Sequence, residues 1–202
     1  MKTYKEVLSG YIPEESVETV FHWIKTSNVQ LKITRNRSTK LGDYRPPIKH
    51  KYHRISVNHD LNKYQFLITL IHEFAHLKTW ELYQRKVKPH GVEWKNKFSE
   101  MLSPFMNENV FPSDVLKVLK KFQKNPGSTV ADAELRKKLR EYDDGESAFT
   151  LEDIPEQGTF KIHNGLVFKK IEKLRKRYKC KRLDNNRIYL VNALMEVVPV
   201  ND

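Results

Sequence analysis

The feature that most constrains this chain is the run Leu67-Ile68-Thr69-Leu70-Ile71-His72-Glu73-Phe74-Ala75-His76-Leu77, an apolar stretch carrying His72-Glu73-x-x-His76. Its length and composition predict a buried helix. On a helix, residues i and i+4 stand one above the other, so the imidazoles of His72 and His76 can reach a single cation. Glu73 stands beside the first imidazole, close enough to act on a metal-bound water without ligating the metal. Two histidines and a glutamate in so apolar a helix are costly unless they are paired or coordinated. The pattern points to zinc hydrolysis, in which Zn²⁺ lowers the pKa of a bound water and a carboxylate takes its proton. A buried helix with hydrogen-bonded histidines is the competing reading of these residues alone.

A third ligand is available downstream. The helix tail runs through Lys86 and breaks at Pro89, and His90-Gly91-Val92-Glu93-Trp94-Lys95 begins a second helix. His90 comes 14 residues after His76, at a place from which it can fold back over the metal. Glu93 and Glu100, on the same following helix, are the alternative third ligands, because sites of two His and one Glu also exist. Trp94, one turn beyond His90, reads as a core anchor for that helix.

Together, HEFAH and HGVEW resemble the SprT-like family of zinc metalloproteases, which pair an HExxH helix with a His-Gly-x-x-Trp segment supplying the third histidine. Arg37-Ser38-Thr39-Lys40-Leu41-Gly42-Asp43-Tyr44 and Ile55-Ser56-Val57-Asn58 resemble the family's strand segments. The resemblance spans roughly residues 15 to 105. It implies His72, His76 and His90 as ligands of Zn²⁺, Glu73 as general base, and a role in cutting proteins attached to or bound near DNA. Relatives often carry a C-terminal zinc ribbon built from two Cys-x-x-Cys pairs. This chain has the single cysteine Cys180, so four-cysteine coordination is impossible.

Charge bears on partners. The chain holds 37 Lys and Arg against 25 Asp and Glu, a formal net charge of +12. Such a balance favours polyanions, nucleic acid first and acidic membrane surfaces second. From Lys25 to Arg54 there are nine Lys or Arg and one acid, Asp43. From Gly158 to Asp202 there are eleven against four, whereas from Thr129 to Glu156 acids outnumber bases nine to four. Charge favours nucleic acid, and the SprT-like resemblance implies that the partners are a protein substrate and DNA. One cysteine, no apolar run long enough to span a bilayer and no signal-peptide core lead to the expectation of a cytoplasmic protein without membrane contact.

The expected fold class is α+β: an N-terminal zincin-like domain over residues 1–112, a helical and acidic linker over 113–157, and a basic β module over 158–202. Pro13-Glu14-Glu15 opens a helix with the stripe Val17, Val20, Phe21, Ile24, and His22 is placed beside that apolar face. Strands follow at Val29–Ile33, near Thr39–Tyr44 and near Tyr52–Val57, with Tyr44 and Tyr52 expected in the core. Asn62-Lys63-Tyr64-Gln65 starts the metal helix. In the β module, Asn164-Gly165 predicts a two-residue type I′ hairpin, and a basic strand is expected from Lys169 to Arg182. A side chain that steadies the oxyanion is also expected, with Tyr44, His53 and Tyr83 as candidates; His50, His53, His59 and His163 otherwise read as surface or hydrogen-bonded histidines. The rival function is a nucleic-acid-binding protein whose zinc is a structural staple.

Overall fold

The structure, a computed structural model, describes residues 3–37, 40–48, 50–124, 126, 133–143, 149–174, 177–193 and 195–200. Among these the fold is α+β, and it divides into two units, 1–144 and 145–202.

The first unit begins with α1 (Tyr4–Ser9). Its start is a reciprocal capping box, in which the Glu6 N–H donates to Thr3 Oγ1 at 3.3 Å and the Thr3 N–H to Glu6 Oε2 at 2.6 Å. A 3-10 turn at Glu14–Ser16 runs into α2 (Val17–Thr26). Val17 and Val20 on that helix are buried and Phe21 and Ile24 pack on the core, as the stripe requires, but His22 is exposed on the opposite face.

Three strands follow: β1 (Val29–Thr34), β2 (Gly42–Arg45) and β3 (His53–Asn58). Their spatial order is β1-β3-β2, with β1 parallel to β3 and β2 antiparallel to it. Alternation on β3 turns His53, Ile55 and Val57 into the core and leaves Arg54 and Ser56 on the other face. His53 is thus buried rather than superficial. Of the two tyrosines expected inside, Tyr44 packs on the core while Tyr52 is exposed.

The central element is α3 (Lys63–Tyr83), whose first turn is capped by Asn62 Oδ1 accepting from the Gln65 N–H at 2.9 Å. Phe66, Leu67, Leu70, Ile71 and Phe74 are fully enclosed, so the helix is buried on nearly every side. The helix ends at Tyr83, short of Lys86, where Gln84 adopts a positive φ of 51°. After a turn comes α4 (Val92–Leu102), which packs Trp94, Phe98, Met101 and Leu102 inward.

Residues 113–124 and 133–140, within the stretch expected as a linker, form α5 (Ser113–Lys124) and α6 (Ala133–Arg140). Val115, Leu119 and Phe122 of α5 and Leu135 and Leu139 of α6 belong to the same core as α3. Asn62 Nδ2 donates to Leu139 O at 2.8 Å and Asp143 Oδ1 at 2.6 Å, tying the end of α6 to the start of α3. The acidic residues 129–132 and 144–148 lie outside the described residues.

The second unit is an antiparallel sheet of β4 (Thr159–Lys161), β5 (Val167–Lys173), β6 (Arg177–Arg182), β7 (Ile188–Asn192) and β8 (Val198–Val200), in the order β7-β6-β5-β4-β8. Phe160, Phe168, Tyr178 and Cys180 lead its core, joined by Leu151 and Ile154. The expected single basic strand from Lys169 to Arg182 is two strands, because the Leu174 N–H donates to Arg177 O at 2.7 Å and folds the run back on itself. The Asn-Gly turn is also not type I′. Gly165 N donates to Ile162 O at 2.9 Å, and Gly165 (φ 87°), not Asn164, takes the left-handed conformation, so the loop has three residues and ends in a glycine bulge. Inside this unit the Lys170 ammonium donates to Leu151 O at 2.9 Å and Ile154 O at 2.5 Å and lies 4.0 Å from the Tyr178 ring centroid. No described helix is long and apolar enough to cross a membrane.

Trp23, Trp80 and Trp94 all lie in the first unit, so tryptophan fluorescence reports on that unit alone. By urea denaturation followed this way, Phe66→Ala is expected to destabilise by about 3–5 kcal/mol, through lost burial and a residual cavity. Leu82→Ala, at a side chain 60 % exposed, is expected to stay within about 0.5 kcal/mol of the parent.

Candidate metal centre

Three elements deliver the site. His72 and His76 project from one face of α3, as the i, i+4 spacing requires. His90 comes from the turn before α4, where its backbone is left-handed (φ 59°) and the Gly91 N–H closes the turn on Lys88 O at 2.9 Å. A non-glycine residue in that conformation is uncommon and tends to mark sites where position outweighs comfort. It turns the His90 ring back over α3.

The three Nε2 atoms converge. His76 lies 3.2 Å from His72 and 3.1 Å from His90, and His90 lies 3.1 Å from His72. Bonds of about 2.0–2.1 Å at tetrahedral angles set ligand nitrogens roughly 3.3–3.4 Å apart, close to these separations. Among the described residues this is the one cluster of three or more His, Cys, Asp or Glu donors placed to hold an ion. Glu93 and Glu100 do not join it, and Glu100 instead pairs with Lys97 at 2.6 Å.

Electrostatics agree with a ligand role. Burial lowers the His72 pKa to about 2 and that of His76 to about 4, with the neighbouring imidazoles adding to the shift, and burial also lowers that of His90. All three therefore stand neutral with a lone pair to offer. His72 Nδ1 is buried without a hydrogen-bond partner, which marks a ring held by its other nitrogen and by packing. That packing comes from Trp94, fully enclosed, whose ring centroid lies 4.6 Å from His72, 5.2 Å from His76 and 4.6 Å from His90. Trp94 anchors α4 as expected, and it also walls all three imidazoles.

Glu73 is 7 % exposed and sits against β2. Burial raises its pKa to about 8, with Asp43 adding to the rise; Arg37, Lys40 and a hydrogen bond from the Tyr44 backbone oppose it. A Cβ built on Gly42 would come within 2.5 Å of Glu73 Oε1 and 2.8 Å of Thr69 Cγ2, so only glycine lets the strand approach the carboxylate this closely. Gly42 and the Tyr44 N–H are the site elements that sequence reasoning missed. Each works through a cross-strand placement that carries no local signal.

Of the three oxyanion candidates, Tyr44 is nearest. Its ring lies parallel to His76 (6.4 Å, 7°), and its hydroxyl meets His53 Nδ1 at 2.8 Å. Burial, with Glu81 nearby, raises the Tyr44 pKa, so the phenol stays neutral. His53 bonds Tyr44 instead of entering the imidazole cluster, and Tyr83 has no described ring contact with it.

A model of the SprT-like family matches residues 13–115, from the turn before α2 to the start of α5. The chain belongs to the SprT-like family. Searches of curated proteins and of solved structures return no match to this chain. The SprT-like match takes in all three imidazoles, Glu73, Gly42 and Trp94, and ends before the antiparallel unit.

Gly42→Ala is expected to lower the stability of the SprT-like unit by about 1–3 kcal/mol in urea, because Glu73 and Thr69 must both shift. Gly10→Ala, whose Cβ would make only an ordinary contact at 3.4 Å, is expected to be neutral. Equal midpoints for the two variants would contradict the close approach described here.

Proposed function

We propose that this SprT-like protein is a zinc-dependent endopeptidase acting on proteins associated with DNA. The observation that carries the reading is the convergence of three neutral imidazoles with a buried carboxylate one residue from the first of them. In this reading His72, His76 and His90 hold Zn²⁺. The metal, when bound, supplies a Lewis acid that polarises a carbonyl and brings the pKa of water toward neutrality.

The chain's own groups do the rest. Burial alone favours the protonated Glu73 side chain, and beside a dication held by the adjacent imidazoles it would return to the carboxylate, which then accepts the proton of the attacking water and returns it to the leaving amine, the double role of a general acid and base. The Tyr44 N–H and the close approach of Gly42 keep that carboxylate in one place. β2 is an edge strand, paired on one side to β3, so its other side offers backbone groups to an extended peptide running past Glu73. Trp94 keeps bulk water from the inner side of the imidazoles. The basic composition supports substrates held on nucleic acid.

The rival, a nucleic-acid-binding protein with a structural zinc, needs a closed site with four protein ligands and has no use for a base. Three donors converge among the described residues, and the carboxylate beside them is retained.

The test uses zinc analysis of the purified chain and cleavage of a histone with and without duplex DNA. Glu73→Gln is expected to keep its zinc and lose about 10²–10⁴-fold in cleavage rate. His90→Ala is expected to lose stoichiometric zinc along with activity. A zinc-loaded parent that cleaves nothing, or a Glu73→Gln variant as active as the parent, would favour the staple. A cleavage rate indifferent to DNA would leave a zinc peptidase with a different substrate class.

A further inference from the structure

The strand register sorts the basic residues of the first unit onto one surface. Residues that turn away from α3 are Gln30 and Lys32 on β1, Arg54 and Ser56 on β3, and Asp43 and Arg45 on β2. Arg37 folds onto the same face, where its guanidinium donates to Ser56 Oγ at 3.0 Å and Asn58 Oδ1 at 2.8 Å. Lys40 reaches it through Asp43 at 2.7 Å. The outer face of the sheet thus gathers Lys32, Arg37, Lys40, Arg45 and Arg54 around one carboxylate.

That carboxylate is already shared, because Asp43 takes both Lys40 (2.7 Å) and Arg45 (2.8 Å). Among the described residues no carboxylate meets Lys32, Arg37 or Arg54. Arg45 and Arg54 stand directly opposite each other across β2 and β3. Like charges in that position destabilise a sheet. Arg54 Nε is buried with no hydrogen-bond partner, an unsatisfied donor on a cation. A stable fold has no need of this arrangement; an anion lying across the sheet would offset the facing charges of Arg45 and Arg54.

The kind of anion is indicated by what stands beside the cations. In the loop leading into β3, His50 and Tyr52 are exposed and stacked on each other at 6.5 Å and 20°. An exposed aromatic pair flanking a cationic face suits the sugar-phosphate and base surfaces of nucleic acid.

We propose that the outer face of the β1-β3-β2 sheet, with the His50–Tyr52 pair at its margin, is a docking surface for nucleic acid. The proposal deepens the nucleic-acid part of the function above and rests on it. It also gives that part a geometry. β2 presents Arg45 to the outer face and, through Tyr44 and Gly42, its backbone to Glu73. A phosphate chain on the sheet would lie one strand from the carboxylate, so a protein bound to the same nucleic acid would be presented along the edge of β2.

The test is binding of a short fluorescein-labelled DNA duplex, followed by anisotropy over a salt series. It is done on the full chain carrying Glu73→Gln, so that failure of the peptidase reading leaves the binding result intact. Lys32→Gln/Arg45→Gln/Arg54→Gln is compared with Lys117→Gln/Lys120→Gln/Lys124→Gln, which removes the same charge from the exposed face of α5. The sheet triple is expected to weaken binding at least about tenfold and to lower the salt slope by about 3, while the α5 triple stays within about twofold of the parent. Lys32→Glu alone, at an exposed side chain, repeats the effect in smaller measure without risk to folding, and tryptophan fluorescence checks the fold of each variant. Equal losses in both triples, no loss in the sheet triple, or a parent that prefers phosphatidylserine vesicles to the duplex would each overturn the proposal.

Discussion

Burying two imidazoles and a carboxylate on one turn of an apolar helix costs several kcal/mol unless their polar atoms are engaged. The rest of the first unit is arranged around that constraint. α3 is packed against α2, the sheet and α4, which leaves its polar turn toward β2 and the start of α4. There His90 joins it on a left-handed backbone, closing a triangle of nitrogens 3.1–3.2 Å on a side. Neutral imidazoles this close can share N–H···N hydrogen bonds, but three converging nitrogens also suit one cation placed among them. The sequence feature and the geometry therefore point the same way.

The surroundings separate the imidazoles from the carboxylate. Trp94 packs on all three rings from α4, while Glu73 turns toward β2 and takes the Tyr44 N–H. The sheet is two-sided in consequence. Its inner face carries Ile55 and Val57 into the core, and the edge of β2 meets the carboxylate. Its outer face holds the cations. Under the proposed function, peptide chemistry and attraction for polyanions would share one small sheet without competing for the same side chains.

Much of this was legible in the sequence, and the failures have physical causes. The buried helix carrying His72 and His76 was legible because an apolar run interrupted by His-Glu-x-x-His has few other ways to be stable, and the joining of His90 to their cluster because it opens a motif whose company is informative. The core positions Leu135 and Leu139 of α6 are not legible because the charge counted over 129–156 hides them. His22 is exposed where packing is expected, while His53 is the hydrogen-bonded histidine of the two alternatives offered, and its burial depends on which face of β3 meets the core. Lys169 to Arg182 reads as one strand because the basic residues run on with no turn signal between Lys173, where β5 ends, and Arg177, where β6 begins. Gly42 could not be recognised at all, since its function lies in what a missing Cβ permits on a helix far along the chain.

The central claim is that His72, His76 and His90 together bind one zinc ion. X-ray absorption at the zinc edge of the purified protein tests it most directly. The account predicts three imidazole nitrogens at about 2.0–2.1 Å, with the multiple-scattering pattern of three histidine rings and one further light atom. A shell with two imidazoles, or with a sulfur from Cys180, would contradict it.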